Sequence, residues 1–214
     1  MKTILHIDSS ARKKNSITRE LSSKFINTWL KMRPDDTVIT RDVGQSPPPF
    51  VSEDWITAAF TAEDERTDEQ NQFLRPSDLL INELEKADII VIGAPMYNYG
   101  MPASLKAWVD QIVRLNKTFS FDLARGDFPL EPILKDKTLI CLTSKGEFGF
   151  TAGVRQQMNH LDGHLATLSH YLGTKEQHIV SVEYQGFSDE RRADSHKKAD
   201  YNTVALAEAL ARVA

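Results

Sequence analysis

The chain has a single cysteine, Cys141, and no long apolar run. One cysteine cannot form a disulfide within the chain, which is typical of proteins from a reducing compartment. The longest purely apolar run, residues 89–94, is far too short to cross a bilayer. The beginning, MKTILHIDSS, reaches Asp8 before the core of a signal peptide can form. We therefore expect a cytoplasmic protein that does not enter a membrane.

Strong net charge and several familiar nucleotide or hydrolase motifs are also missing. A formal charge of −4 and a pI near 5.9 disfavour a protein that binds nucleic acid or anionic lipid through its charge. Neither G-x-G-x-x-G nor G-x-x-x-x-G-K-[ST] occurs, which disfavours a Rossmann dinucleotide site and a nucleoside triphosphatase. G-x-S-x-G is absent too, and no cysteine follows the first predicted strand, which disfavours serine hydrolases and cysteine phosphatases. The composition is that of one globular domain, residues 1–214.

Apolar patterning predicts five successive β-α units. Residues 116–136 are predicted to be a long irregular connection, and the second helical region is predicted to break before Pro76. The predicted strands are residues 2–8, 37–44, 87–95, 137–146 and 177–186, and the predicted helices are residues 17–32, 52–86, 103–115, 160–173 and 189–213.

Strands that are apolar on both faces and alternate with helices indicate an α/β fold with a parallel sheet covered on two sides. Right-handed crossovers leave two common doubly wound strand orders. In the flavodoxin-like order 2-1-3-4-5, the first and third strands are neighbours. The loops that follow these two strands then lie side by side at the carboxyl edge, where ligands bind.

The first of these loops, SSARKKNS, places hydroxyl groups at the start of a helix. Ser10, Ser16 and Thr18 cluster where free backbone N–H groups and the helix dipole favour an anion such as a phosphate. The alternative is that Ser16 only caps the helix while the other hydroxyls face water. The basic residues 12–14 either attract the anion or keep the loop solvated.

The second loop, MYNYGMP, brings flat and polarisable side chains to the same edge. Met96, Tyr97 and Tyr99 suit the face of an aromatic ring system, and the amide of Asn98 suits its polar edge. A flavin has both properties. The alternative is that the tyrosines pack against the neighbouring helix or a partner subunit. The third loop, TSKGEFG, follows the fourth strand, and its amides are expected to reach the pyrimidine end of the ring.

Together the three loops resemble the FMN-dependent NADH azoreductases, a flavodoxin-like family that overlaps with the two-electron quinone reductases. The resemblance extends over nearly the whole chain. It implies that the family's cofactor-binding residues correspond here to Ser10, Ser16, Ile17 and Thr18 in the first loop, Met96, Tyr97, Asn98 and Tyr99 in the second, and Ser144, Lys145, Gly146 and Glu147 in the third.

The resemblance also implies an activity. FMN is bound noncovalently, NADH delivers a hydride to the flavin N5, and a quinone or aromatic azo compound then accepts two electrons in a ping-pong reaction within a homodimer. The family's third loop reads S-R-G-G, so Lys145 keeps a cation and Glu147 replaces a glycine. We expect the Glu147 amide to face the cofactor and its carboxylate to turn outward.

Two other functions remain open, an electron-carrying flavodoxin and a doubly wound hydrolase without flavin. Residues 45–75 and 117–136 are longer than simple connections require, which favours an enzyme with a substrate wall or subunit interface. His160 and His164 have the i, i+4 spacing of metal ligands, but no H-E-x-x-H accompanies them and we expect no metal. The aromatics of the two long segments are Phe50, Trp55, Phe60, Phe119, Phe121 and Phe128.

Overall fold

A five-stranded sheet forms the centre of the computed structural model, which describes all 214 residues. Its strand order is β2-β1-β3-β6-β7 and every neighbouring pair is parallel. Since β6 and β7 are the fourth and fifth strands of this sheet, the predicted flavodoxin-like order is confirmed. The five strands are β1 (Thr3–Asp8), β2 (Thr37–Asp42), β3 (Ile89–Pro95), β6 (Lys137–Ser144) and β7 (Thr174–Val182).

Helices cover both faces of this sheet, as the apolar strands require. One buried cluster packs α1 and α6 against one face, and a second packs α3, α4 and α5 against the other. No helix combines the length and the apolar character that a bilayer crossing demands. The helices are α1 (Ile17–Met32), α2 (Glu53–Phe60), α3 (Asp68–Lys86), α4 (Ala103–Ile112), α5 (Asp162–Tyr171) and α6 (Glu190–Val213).

The predicted break before Pro76 is wrong, because α3 continues through this proline. The chain breaks earlier, between α2 and α3, where a capping box starts α3. Thr67 accepts a hydrogen bond from the Gln70 N–H at 3.2 Å, and the Gln70 side chain accepts one from the Thr67 N–H at 3.0 Å. Buried side chains on both sides of the proline, such as Leu74 and Leu80, hold the helix together across the missing hydrogen bond.

The predicted irregular connection at residues 116–136 is wrong in part. It contains an antiparallel pair of short strands, β4 (Phe119–Phe121) and β5 (Leu130–Pro132). Three-residue strands are too short to give a period, so the sequence pattern does not reveal them. The last strand of the main sheet is also shifted relative to its predicted bounds, since β7 begins at Thr174 and the chain is already a loop after Val182.

Candidate functional site

A cleft of about 450 Å³ opens at the carboxyl edge of the sheet, where the loops after β1, β3, β6 and β7 meet. This volume lies within the range of small-molecule sites. Thr18, Asn98, Tyr99 and Glu147 do not line it. The other predicted site residues do, and they are Ser10, Ser16, Ile17, Met96, Tyr97, Ser144, Lys145 and Gly146.

One end of the cleft is the start of α1. Ser16 is the residue before the helix, and its side chain makes no capping hydrogen bond. The backbone N–H groups of residues 17–19 have no acceptor within the chain. Thr18 is only 1% exposed, and its hydroxyl lies 3.5 Å from that of Ser16. The cleft therefore presents free N–H groups and the Ser16 hydroxyl, a donor set that suits an anion.

Arg19 holds the backbone of the first loop at this end of the cleft. Its guanidinium donates to the carbonyls of Arg12 at 2.9 Å and Ser10 at 2.8 Å, and to the Asp42 carboxylate at 2.7 and 2.6 Å. Burial is the largest single influence on the pKa of Asp42 and raises it, but the hydrogen bond and the positive charge of Arg19, together with backbone hydrogen bonds from Gln45 and Gly44, outweigh burial and lower the pKa. The hydrogen bond to Asp42 raises the pKa of Arg19. The pair is therefore charged at neutral pH and holds two carbonyls of the first loop in place.

The second loop is a tight turn. Asn98 and Tyr99 have φ of 47° and 67°, and hydrogen bonds of 3.0 Å run both ways between the backbones of Tyr97 and Gly100. Two consecutive residues with positive φ are typical of a type I′ turn, which is strained for a tyrosine. The Tyr97 hydroxyl accepts from the Ala11 N–H at 3.3 Å, so the first and second loops are joined.

The third loop turns its charged side chains away from the cleft. The Lys145 side chain is fully buried, and its ammonium lies 2.5 Å from the Asp162 carboxylate, so the cation lies beneath the loop. Glu147 is not among the residues with positive φ, so the departure from glycine causes no strain there. Its carboxylate accepts from the Tyr99 hydroxyl at 3.0 Å and pairs with Arg155 at 2.8 Å. The hydrogen bond from Tyr99 to Glu147 raises the pKa of Tyr99.

Named proteins are similar in sequence to this chain. Residues 2–205 match the family model described as the flavodoxin-like fold. The chain is 54% identical to "FMN-dependent NADH:quinone oxidoreductase 2" of Idiomarina loihiensis, over 99% of this chain and 90% of the relative. The protein of the same name from Colwellia psychrerythraea is 52% identical, over 93% of this chain and 94% of the relative. The chain belongs to the FMN-dependent NADH:quinone oxidoreductase family.

Solved structures share the fold of this family member. An azoreductase from Bacillus anthracis str. Sterne superposes with a TM-score of 0.86 at 21% identity, over 97% of this chain and 99% of that one. An FMN-dependent NADH-azoreductase from Bacillus anthracis str. Ames Ancestor, in complex with FMN, superposes with a TM-score of 0.82 at 17% identity. That alignment covers 97% of this chain and 100% of the azoreductase. At these identities the likeness shows the fold.

The sequence prediction missed one wall of the cleft in this family member. Gln185 and Gly186, after β7, line it together with Arg192 at the start of α6. The Gly186 N–H donates to the Gly146 carbonyl at 2.7 Å, so this fourth loop is joined to the third. A signal was available, because the loop after the last parallel strand must also reach the carboxyl edge. This loop was not recognised because the fifth strand was predicted to extend to residue 186. The first loop and β3 add further lining residues, Arg12, Asn15 and Pro95.

The histidine pair and the single cysteine, which could suggest other chemistry, do not line the cleft. His160 precedes the first residue of α5, so it does not share a helical face with His164. Cys141 is fully buried in β6, and burial raises the pKa of its thiol to about 12. A thiol in that state is not a nucleophile at neutral pH.

Proposed function

We propose that this chain binds FMN in the cleft and transfers two electrons from NADH to a quinone or an aromatic azo compound in a ping-pong reaction. The observation that carries the proposal is the joining of an anion-binding helix start to an aromatic turn, in a chain that belongs to this family. When bound, FMN supplies the redox chemistry, accepting a hydride from NADH and releasing two electrons to the acceptor. The chain itself then needs no nucleophile and no metal.

The residues of the cleft fit the parts of FMN. The uncapped start of α1, with Ser10 and Ser16, offers N–H and hydroxyl donors for the phosphate. Met96 and Tyr97 offer an apolar and aromatic surface for the ring system. The backbone around Gly146 offers polar groups for the pyrimidine end. The chain's contribution is therefore to bind and orient the cofactor and to leave an apolar face for the second substrate.

The first experiment separates an enzyme from an electron carrier. We expect the purified protein to contain FMN and to oxidise NADH when a benzoquinone or a simple azo dye is added. Bound FMN without reduction of either acceptor by NADH or NADPH would identify a carrier of the flavodoxin kind. A protein that purifies without flavin and does not bind added FMN would instead favour the hydrolase.

We also propose a homodimer with the cleft near the interface. The long segments expose Phe50 at 74%, Phe60 at 73% and Phe128 at 85%, an apolar surface that association would cover. Trp55 does not contribute, contrary to the sequence interpretation. It is only 8% exposed, and its indole N–H donates to Gln111 at 3.0 Å.

Light scattering tests this association. We expect a mass twice that of the 24.2 kDa chain, because the exposed phenylalanines lose contact with water in the pair. Phe128→Ser is expected to shift the protein toward the single-chain mass. Val213→Ser, at an 83% exposed position outside the long segments, should not. A single-chain mass for the unmodified protein at micromolar concentration contradicts the dimer.

A further inference from the structure

We propose that the fully buried Lys145 and the partly buried Asp162 form an ion pair that positions the backbone of residues 144–147 for the flavin. The role rests on the proposed FMN site and adds a positioning pair to it. Neither charged group needs to touch the cofactor, because the pair acts through the backbone of the loop.

The pair lies directly beneath the cleft. The Lys145 side chain is fully buried, and its ammonium lies 2.5 Å from Asp162 Oδ2 and 3.3 Å from the Ser181 hydroxyl. The Asn159 amide donates to the same carboxylate oxygen at 2.8 Å, which fixes Asp162 from the other side. Asp162 is the first residue of α5, so the third loop is fastened to a helix of the main fold.

The backbone of Lys145 is held as firmly as its side chain. Its N–H donates to the Val182 carbonyl at 2.8 Å, and its carbonyl accepts from the Gln185 N–H at 3.1 Å. Gly146, the next residue, is exposed, and no atom lies within 4 Å of the place where its Cβ would be. Side-chain packing therefore does not fix Gly146, the residue with the greatest backbone freedom in the loop. The loop is held there by the hydrogen bond from the Gly186 N–H at 2.7 Å and, on its N-terminal side, by the anchor at Lys145.

Energetics make this pair sensitive to the loss of either partner. Removing one member of a buried pair leaves the other charge uncompensated, which costs far more than losing a surface ion pair. When Asp162 is neutralised, the loop is expected to relax so that the Lys145 ammonium reaches water. When Lys145 is neutralised, the loop loses the contact that fastens it to α5. Such a shift displaces the backbone groups around Gly146 that would meet the pyrimidine end of the flavin.

The same strand provides a matched control. Lys137, at the other end of β6, is also buried, and its ammonium donates to the carbonyls of Ala87 at 2.5 Å and Glu85 at 3.2 Å at the end of α3. Both lysines can be replaced by methionine, whose side chain is also unbranched, is one heavy atom shorter and carries no charge. Only Lys145 lines the cleft.

The test is a titration of FMN and of riboflavin into apoprotein, followed by quenching of flavin fluorescence. We expect Lys145→Met to lower the affinity for both FMN and riboflavin by about tenfold, because both flavins carry the pyrimidine end that the loop contacts. Lys145→Arg, which keeps the charge, should retain most of the affinity. Asp162→Asn should resemble Lys145→Met, and combining the two should cost little more than either alone, since they act as a unit. Lys137→Met should lower the melting temperature and leave both affinities unchanged.

The outcomes separate this role from a purely structural one. If Lys145→Met lowers the melting temperature as Lys137→Met does but binds both flavins like the unmodified protein, the proposal is overturned. It is also overturned if Lys145→Met lowers the affinity for FMN but not for riboflavin, because that result places Lys145 at the phosphate end of the flavin. Should Lys145→Met not fold, the contrast between Lys145→Arg and Asp162→Asn decides in the same way. If the unmodified apoprotein binds neither flavin, both this role and the proposed function are overturned. If the unmodified protein binds flavin but the variants do not behave as expected, only the positioning role is overturned.

Discussion

Replacing Ser16 by aspartate is expected to weaken FMN binding by roughly 100-fold while the apoprotein stays folded. Ser16 lines the cleft and precedes α1 with an extended backbone, a position that aspartate also favours. Next to a dianionic phosphate the new carboxylate is repelled. At a separation of about 5 Å and an effective dielectric constant of about 40, the repulsion is on the order of 3 kcal/mol. The substitution should therefore lower the affinity for FMN without lowering the stability of the apoprotein.

Riboflavin and a neutral variant are the controls for this result. Riboflavin lacks the phosphate, so its affinity should fall much less than that of FMN when both are titrated by fluorescence quenching. Ser16→Asn has the same shape as the aspartate variant without its charge, and it should bind FMN within a few-fold of the unmodified protein. Equal losses for both flavins, or an unchanged FMN affinity in Ser16→Asp, would place the phosphate elsewhere.

Thr18 is less suited than Ser16 to this substitution. The sequence interpretation placed the hydroxyls of Ser16 and Thr18 together at the phosphate, yet Thr18 is buried. The helical period already contained this information. Thr18 lies four, seven and eleven residues before Ser22, Phe25 and Trp29, all fully buried, so it shares their inward face. An aspartate at Thr18 would therefore disturb packing as well as any bound anion.

Local patterns were sufficient for most of the fold. The i+4 repeat of α1 predicted Ile17–Met32 without error, and the fully buried run of β3 predicted an interior strand. Both elements follow from interactions between residues close in sequence. Right-handed crossovers left two common strand orders for five β-α units, and the resemblance to a flavodoxin-like family selected the observed one.

Features that depend on distant partners could not be predicted in this way. The direction of the Lys145 side chain is set by Asp162 on another element, and a lysine in a loop is ordinarily solvated. The Tyr99 hydrogen bond to Glu147 joins two separate loops. The end of β7 is set by neighbouring backbones, since the Tyr184 N–H donates to the Glu147 carbonyl. Such contacts appear only when the sheet brings the loops together.

The second large effect is expected at Gly44, which supports the first loop from outside the cleft. A Cβ at this position would lie 2.2 Å from the Ser10 carbonyl oxygen, and the Gly44 N–H donates to the Asp8 carbonyl at 3.0 Å. The clash is with backbone, so no side chain can rotate to relieve it. Gly44→Ala is therefore expected to move the Ser10 backbone, lower the free energy of unfolding by about 3 kcal/mol and weaken FMN binding at least tenfold.

Gly173→Ala is the matched control for Gly44→Ala. A Cβ there would lie 2.1 Å from the Leu134 carbonyl oxygen, and Gly173 also has a φ of 67°, so the steric cost is at least as large. Gly173 immediately precedes β7, at the amino edge of the parallel sheet, whereas the cleft is at the carboxyl edge. Urea unfolding should show both variants destabilised, while flavin titration should show a loss of affinity only for Gly44→Ala. If both variants retain FMN affinity, the position of the Ser10 backbone does not determine cofactor binding. If both lose it to the same extent, the loss reflects general destabilisation and not the first loop.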